Sequence, residues 1–249
     1  SCCGQDLGAL TAFIYGMRDR EEVLNVMEET TGGRLIQNYY RIGGCQDDID
    51  VNLVENVKKL CKYLKPKFKE YHDILSSNRI FMNRFKGVGV LSKEDAISCT
   101  GGTGRATGWA NDVRKHHPYA MYDKVEFDEI TFTHGDSYDR YLVRMAELEQ
   151  SVRILEQLID NIPEGDFYIK QKAVIRVPEG QWYFSCEGSR GEIGVYLDSR
   201  GDKMPYRLKF RPMGLPLVSA LDEMCRGEKI ADLIAVGASL DYVIPDIDR

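Results

Sequence analysis

The sequence of 249 residues has only four histidines, and its seven cysteines include no C-x-x-C pair. Zinc ribbons, iron–sulfur motifs and thioredoxin-like sites therefore lack their ligands. We expect no metal to be bound by this chain. The odd cysteine count at low density is typical of a reducing compartment rather than of a disulfide-stapled secreted protein.

Basic residues are outnumbered, since 33 Lys and Arg stand against 39 Asp and Glu, a net charge of −6. Nucleic-acid-binding proteins usually carry a basic excess or a basic stripe, so no nucleic-acid partner is expected. Long apolar runs are also missing. The longest stretch without a charge is the 11 residues 7–17, whereas a membrane-spanning helix needs about 20. The N-terminus lacks the basic-then-apolar pattern of a signal peptide.

Apolar residues recur at helical spacing in three long segments, which predicts a helical bundle. Gly32 and Gly33 should end the first helix, because glycine readily adopts the left-handed conformation at a helix C-terminus. Pro66 should kink or split the second helix, which follows an acidic capping region at 47–50. Asp136 is a suitable N-cap for the third. The three predicted helices cover about residues 7–31, 51–75 and 137–162.

Shorter elements complete the prediction. Short helices are predicted near Asn78 and from Ser92, which opens a capping-box-like sequence. After residue 165 the pattern becomes β-rich, with turn residues between the segments. It predicts strands at 172–177, 182–187, 192–197 and 206–210, followed by a helical portion at 217–238.

We therefore predict a single domain over residues 1–249 of α+β class. It combines a bundle of long helices with a small antiparallel β-hairpin region near the C-terminus. Residues 1–165 should be mainly helical, 170–212 should form β-hairpins, and 213–249 should form a helix and a tail.

Three groups of residues could carry chemistry but have more common structural roles. The glycine-rich segment 99–108 could cradle a phosphate, but it lacks the Gly-Lys-Ser/Thr ending of a P-loop, and a closely packed loop is more common. Arg140, Arg144 and Glu147 share one helical face, which is typical of a surface salt-bridge ladder. The pair His116-His117 fits a solvated turn better than a metal or proton-transfer site.

Asp6 is the more unusual residue, because it stands at the head of a mostly apolar segment. Burying a carboxylate without a partner is costly. Asp6 is therefore either solvated at a helix end or paired with a functional group, and the local sequence leaves both possibilities open.

Many short motifs occur in the same order as in one known family. In this order they resemble the quinone-site, 49-kilodalton-type subunit of respiratory NADH:quinone oxidoreductase (complex I), which is related to the large subunit of nickel–iron hydrogenases. The resemblance covers essentially the whole chain, is closer to bacterial forms, and corresponds to about the C-terminal two-thirds of a typical member. The motifs include Asp6-Leu-Gly-Ala-Leu-Thr, Arg18-Asp-Arg-Glu21, Tyr40-Arg-Ile-Gly-Gly44, Arg105-Ala-Thr-Gly108, Asp112-Val-Arg-Lys115, Tyr138-Asp-Arg-Tyr141, Ala231-Asp-Leu-Ile-Ala235 and the terminal Asp248-Arg249.

The resemblance implies roles for particular residues. Asp6 would pair with a quinone-ligating histidine from the family's N-terminal portion and take part in proton delivery, which favours the functional interpretation of this carboxylate. The C-terminal tail would lie at the quinone cavity, beside the terminal iron–sulfur cluster of a neighbouring subunit. Its cavity-side residues would be Asp241, Val243, Asp246 and Arg249.

The tail also distinguishes this chain from a hydrogenase, which carries Asp-Pro-Cys-x-x-Cys here to hold nickel and iron. The corresponding residues are Asp241-Tyr-Val-Ile-Pro-Asp246, without a thiolate. Such residues cannot build a nickel–iron centre, so we expect a cavity at this position.

Arg34 and Ile36 match positions that the family places near the terminal iron–sulfur cluster. Many members carry histidine at the place of Ile36, and isoleucine has no proton to exchange. The resemblance therefore implies a low-potential cluster with little pH dependence, which suits menaquinone as the quinone.

The expected function is that of one component of NADH:quinone oxidoreductase, a translocase, that forms part of the quinone cavity and couples quinone reduction to proton translocation. NAD and iron–sulfur clusters are expected only in partner subunits. The expected partners are the terminal-cluster subunit and the membrane-arm quinone-site subunit, at the cytoplasmic face of the plasma membrane. The isolated chain is expected to be inactive. Two alternatives stay open: the matching subunit of a membrane complex that oxidises a reduced deazaflavin or ferredoxin, and a non-catalytic scaffold or assembly fragment.

Overall fold

A computed structural model describes residues 2–172 and 174–248. In this part of the chain no helix combines the length and the apolar character that crossing a membrane requires. The helices are α1 (Cys2–Asp6), α2 (Leu10–Thr31), α3 (Val51–Tyr71), α4 (Arg79–Phe85), α5 (Lys93–Ala96), α6 (Gly101–Arg105), α7 (Val113–His116), α8 (Ser137–Ile159), α9 (Gly214–Ser219), α10 (Leu221–Cys225), α11 (Ile230–Leu240) and α12 (Ile244–Ile247). The strands are β1 (Tyr40–Arg41), β2 (Gly44–Cys45), β3 (Gly180–Gly188), β4 (Gly191–Ser199) and β5 (Arg207–Arg211).

The three long helices α2, α3 and α8 confirm the predicted bundle, with α3 packed between the other two. Their ends are set by local chemistry. Asp50 caps α3 by accepting a hydrogen bond from the Leu53 amide, and Asp136 caps α8 in the same way. Gly32 ends α2 in the left-handed conformation, with φ of 72°.

Pro66 does not split α3, which continues through it to Tyr71 and then widens into a π-helical turn at His72–Ser76. The predicted split was therefore wrong. Cys61 and Phe68, on either side of the proline, are both buried in one cluster with Val152 of α8. This apolar contact offsets the one backbone hydrogen bond that proline cannot donate.

The main core lies along α8. Phe81 and Phe85 of α4 stack with ring centroids 4.5 Å apart, and Tyr141 of α8 packs edge-on against Phe81. Ala235 of α11 belongs to the same buried cluster. A second cluster joins α10 and α11 to the segment before α6, through Met224, Val236, Leu240 and Cys99.

β3, β4 and β5 form an antiparallel sheet in sequence order, which confirms three of the four predicted strands and the α+β class. The strand predicted at 172–177 was wrong, since Lys172 and residues 174–177 form none; Ala173 lies outside the described residues. The apolar alternation there finds no partner strand. The carbonyl of Val177 is tied to the sheet by a hydrogen bond from the Ser199 hydroxyl.

Two further segments differ from the prediction. The helical portion predicted at 217–238 is divided among α9, α10 and α11. Between α10 and α11 the chain turns at Gly227, with φ of 83°. The glycine-rich segment contains the short helix α6 rather than only a loop. Its predicted close packing is confirmed, since a Cβ on Gly101 would lie 2.4 Å from the Arg190 carbonyl oxygen.

Candidate functional site

A cleft of about 560 Å³ lies between α1, α8, the turn joining β3 to β4, and the residue that follows α11. One part of its wall is apolar and includes Leu75, Met145 and Leu148. Its charged lining includes Arg105, Arg144, Glu147, Glu187, Arg190 and Asp241. A cleft with an apolar wall and a few convergent polar groups is the usual form of a small-molecule site.

Asp241 begins the C-terminal tail and is held by Arg190. It caps α11 in the left-handed conformation, with φ of 56°, which is uncommon for a residue other than glycine. The Arg190 guanidinium donates to the Asp241 backbone carbonyl. Arg190 Nε also lies 3.3 Å from the Asp241 carboxylate. Among the described tail residues that were predicted to face a cavity, Asp241 is the one that lines this cleft.

Arg144 and Arg140, one turn apart on α8, hold the end of α11. Arg144 donates to the backbone carbonyls of Ser239 and Leu240, which have no partner further along the helix. Arg140 donates to the hydroxyl of Ser239 at 2.9 Å. These contacts fix the point at which the tail leaves the helix.

Arg140 is completely buried, with further hydrogen bonds to the carbonyls of Gly135 and Gly89 and to the Ser137 hydroxyl. Burial, together with the charge of Arg144, lowers the pKa of Arg140 to about 9, so the guanidinium is charged at neutral pH. The predicted surface ladder was therefore wrong. Residues on one helix face have the same spacing whether that face is exposed or buried. Here the face is covered by α11 and by the chain before α5.

Glu147, the third residue of that predicted ladder, instead binds Arg105, and both residues line the cleft. The buried guanidinium of Arg105 lies 2.6 Å from Glu147 and 3.0 Å from Glu187. Glu187 also accepts a hydrogen bond from the Val113 amide at 3.2 Å. Burial raises the pKa of Glu187, although Arg105 opposes that shift. No sequence pattern predicted this network, because its members lie on α6, α8 and β3.

The other described residues predicted for the quinone site, Asp6, Val243 and Asp246, are not part of the cleft lining. Asp6 is the exposed last residue of α1, and in the described part of the chain it has no hydrogen-bond or ion-pair partner. Val243 is half-buried before α12. Asp246 is buried and accepts a hydrogen bond from the Gly214 amide at 2.8 Å. Arg249 lies outside the described residues.

The two residues predicted to lie near an iron–sulfur cluster are on another surface. Arg34 follows α2 and pairs with Glu21 and Glu28 of that helix. Ile36 is 94% exposed. Neither residue lines the cleft. Over residues 2–172 and 174–248, no three His, Cys, Asp or Glu side chains are grouped so that they could hold a metal ion.

Comparison with known proteins places this geometry in a family. The family model described as "Respiratory-chain NADH dehydrogenase, 49 Kd subunit" matches residues 6–176 and 167–249. The chain belongs to this family. The resemblance seen in the sequence motifs is thereby confirmed.

Individual relatives agree with this assignment. The chain is 64% identical to the C/D subunit of NADH-quinone oxidoreductase from Phocaeicola vulgatus, over 100% of this chain and 48% of the relative. It is 42% identical to the D subunit from Bacillus cytotoxicus, over 98% of this chain and 67% of the relative. The chain thus spans about half the length of the C/D relatives.

A solved structure shows the same fold. It is that of the membrane-bound sulfane sulfur reductase, an archaeal respiratory membrane complex, and the matching chain is 35% identical with a TM-score of 0.94. The match covers 99% of this chain and 69% of that one. The α+β architecture predicted from the sequence is therefore shared with a chain of a respiratory membrane complex.

Proposed function

We propose that this chain forms one wall of the quinone cavity in an NADH:quinone oxidoreductase and takes part in coupling quinone reduction to proton translocation. The observation that carries the proposal is the cleft at Asp241. It lies where the C-terminal tail leaves α11, in a chain whose relatives are subunits of that oxidoreductase.

The cleft has the chemistry that a quinone requires. The apolar residues Leu75, Met145 and Leu148 offer a surface for the ring and its substituents. A quinone carbonyl oxygen accepts hydrogen bonds, and Arg144 and Arg190 of the lining carry N–H donors. No cysteine lies between Asp241 and Asp246, so this end of the cleft lacks the thiolates that a nickel–iron centre requires.

We propose that this chain contributes to the supply of protons, rather than of electrons, for quinone reduction. Reduction of a quinone to a quinol takes two electrons and two protons. The electrons would come from the terminal iron–sulfur cluster of a neighbouring subunit, and NADH would be oxidised elsewhere in the complex. Asp6 is exposed and so can exchange a proton with water, while Asp241, Val243 and Asp246 would shape the cavity side of the tail.

The relatives, which are components of respiratory complexes, support a proposal for the setting of the chain. We propose a peripheral position at the cytoplasmic face of the membrane, between the terminal-cluster subunit and the membrane-arm quinone-site subunit. We propose menaquinone as the quinone, because Ile36 stands where many members of the family carry a titratable histidine.

A second candidate acceptor is a sulfane sulfur compound, because the chain shares its fold with a component of a sulfane sulfur reductase at 35% identity. The higher identity to NADH-quinone oxidoreductase subunits, 64% and 42%, favours the quinone.

Photoaffinity labelling of the intact complex with an azido-quinone distinguishes the two. We predict labelled peptides from residues 2–6 or 240–248 and loss of the label when excess quinone is added. Labelling confined to other subunits would contradict a quinone site here. Competition by polysulfide but not by quinone would favour the second candidate.

A further inference from the structure

The π-helical turn at His72–Ser76, where α3 ends, brings together two side chains that can exchange protons. The Ser77 amide closes the widened turn by donating to the His72 carbonyl at 3.0 Å. Within the turn, His72 Nδ1 lies 2.7 Å from Ser76 Oγ. Single π-helical turns are rare and are often found at functional sites. We therefore followed the hydrogen bonds that leave this turn.

The row of hydrogen bonds continues from the turn to α8. Ser76 Oγ lies 2.9 Å from the hydroxyl of Tyr141, so the side chains of His72, Ser76 and Tyr141 are joined without a gap. A hydroxyl both donates and accepts, and an imidazole has two ring nitrogens, so each group can take up one proton while it releases another. Burial raises the pKa of Tyr141 to about 12, so its hydroxyl carries a proton at neutral pH.

The two ends of this row belong to different cavities. His72 is half-buried and lines a surface hollow of about 570 Å³ together with charged residues of α3 and α8. Tyr141 lines the cleft, as do its core neighbours Leu75 and Met145 of the apolar wall. Among the described residues, Ser76 is the only hydrogen-bond partner of the Tyr141 hydroxyl. When Ser76 donates to it, the phenol O–H is free to donate to a bound molecule.

We propose that His72, Ser76 and Tyr141 form a proton relay from water in the surface hollow to the molecule that is reduced in the cleft. This inference deepens the proposed function and rests on it. The relay contains none of the residues assigned to the quinone site above, so it supplies a route in addition to Asp6.

The proton transfers of the relay balance. Neutral His72 takes a proton from water at Nε2 and releases the proton of Nδ1 to Ser76 Oγ. Ser76 passes its own hydroxyl proton to Tyr141, and the phenol proton goes to an oxygen of the reduced quinone. One bond to hydrogen breaks for each that forms, and the three groups stay neutral. The electrons would arrive by the route proposed above, and the relay resets when the ring and the hydroxyls reorient.

Tyr141→Phe in the intact complex tests the last step. The substitution removes the O–H but keeps the ring that packs edge-on against Phe81. We expect quinone reduction to fall at least about tenfold, while electron transfer from NADH to an artificial acceptor is unchanged. Tyr138→Phe is the matched control, because the Tyr138 hydroxyl donates to the backbone carbonyl of Ser76 at 3.0 Å and is not a member of the relay. Equal rates in the two variants would overturn the proposal.

Rescue experiments at the other two positions separate proton transfer from a structural role. Ser76→Ala should slow quinone reduction about tenfold, and Ser76→Thr, which keeps a hydroxyl, should restore most of the rate. His72→Ala should also slow the reaction, and imidazole added to the solution should restore part of the rate, because the histidine lines an open hollow. A rate that neither threonine nor imidazole restores would contradict the relay.

The azido-quinone experiment separates this proposal from the function on which it rests. Labelled cleft peptides together with full quinone turnover in Tyr141→Phe would overturn the relay alone. Labelling confined to other subunits would overturn both proposals.

Discussion

Arg190 binds both the backbone carbonyl and the carboxylate of Asp241, and so joins the turn between β3 and β4 to the first residue of the tail. The turn itself is held in place by Thr100. A Cβ on Gly191 would lie 2.6 Å from the Thr100 side chain, and the Thr100 hydroxyl accepts a hydrogen bond from the amide of Glu192. The glycine-rich segment thus supports the residue that orients the tail at the cleft.

Asp241→Asn tests whether this carboxylate acts on the substrate or only on the fold. Asparagine tolerates the left-handed conformation, and the ion pair is partly exposed on both sides, so the stability loss should stay below about 1 kcal/mol. We expect a raised KM for quinone at nearly unchanged Tm. Asp241→Ala, which is strained at this φ, should lower Tm by comparison. Unchanged quinone kinetics in the Asn variant would remove the carboxylate from the site.

Arg140→Met should strongly destabilise the protein. The substitution leaves the carbonyl of Gly89 without its buried donor, which costs about 1–3 kcal/mol. The Gly135 carbonyl loses one of two donors and keeps its hydrogen bond from the Leu91 amide. Arg153→Met on the same helix is the control, because its side chain is 45% exposed and its ion pair with Asp128 lies at the surface. Urea unfolding measures both. Equal midpoints for the two variants would contradict the buried role of Arg140.

Asp19 should make stability depend on acid pH. It is 2% exposed and accepts hydrogen bonds from Arg18, Tyr63 and Tyr71. Burial would raise its pKa, but these three partners lower it to about 2. Because the folded pKa lies below the unfolded value of about 3.9, this stabilisation is present above about pH 4 and is lost as the pH falls toward 2.

Asp19→Asn should therefore cost about 2–3 kcal/mol at neutral pH and reduce the further loss between pH 4 and pH 2. Unfolding curves recorded across that range measure the effect. Asp202→Asn, in an exposed loop, should behave like the unmodified chain. If the substitution of Asp19 leaves the acid dependence unchanged, another group is responsible for it.

The features that could be predicted from the sequence are those set by neighbouring residues. Asp50, Asp136 and Gly32 each fix a helix end through contacts within three or four residues, and their roles are confirmed. The failed predictions depended on distant partners. The segment 172–177 has the alternation of a strand but no strand to pair with, and Pro66 is tolerated because α8 packs across it.

The candidate site, too, could be predicted only where it does not depend on distant partners. A resemblance to known motifs pointed to Asp241, but the residues that hold it come from far along the chain. Arg144 is 96 residues from Leu240, and Arg190 is 51 residues from Asp241. Helical spacing alone indicated a surface role for Arg144, since periodicity identifies a face of a helix but not what covers that face.

Val243→Met tests the cavity side of the tail. The added bulk should change the affinity for quinone or for quinone-site inhibitors by on the order of 1 kcal/mol while assembly stays normal. Val51→Met, at a position that is 76% exposed at the start of α3, is the matched control. Inhibition constants that do not move across several inhibitors would show that Val243 faces away from the cavity.

Asp6→Asn in the assembled complex tests the proposed role in proton delivery most directly. Removing the charge abolishes proton exchange at this position, and general acid–base groups commonly contribute a factor of about 10²–10⁴. We predict that quinone reduction falls at least about tenfold, that Asp6→Glu restores part of it, and that electron transfer from NADH to an artificial acceptor is unchanged. Quinone turnover close to that of the unmodified complex, in a fully assembled Asp6→Asn variant, would contradict this role.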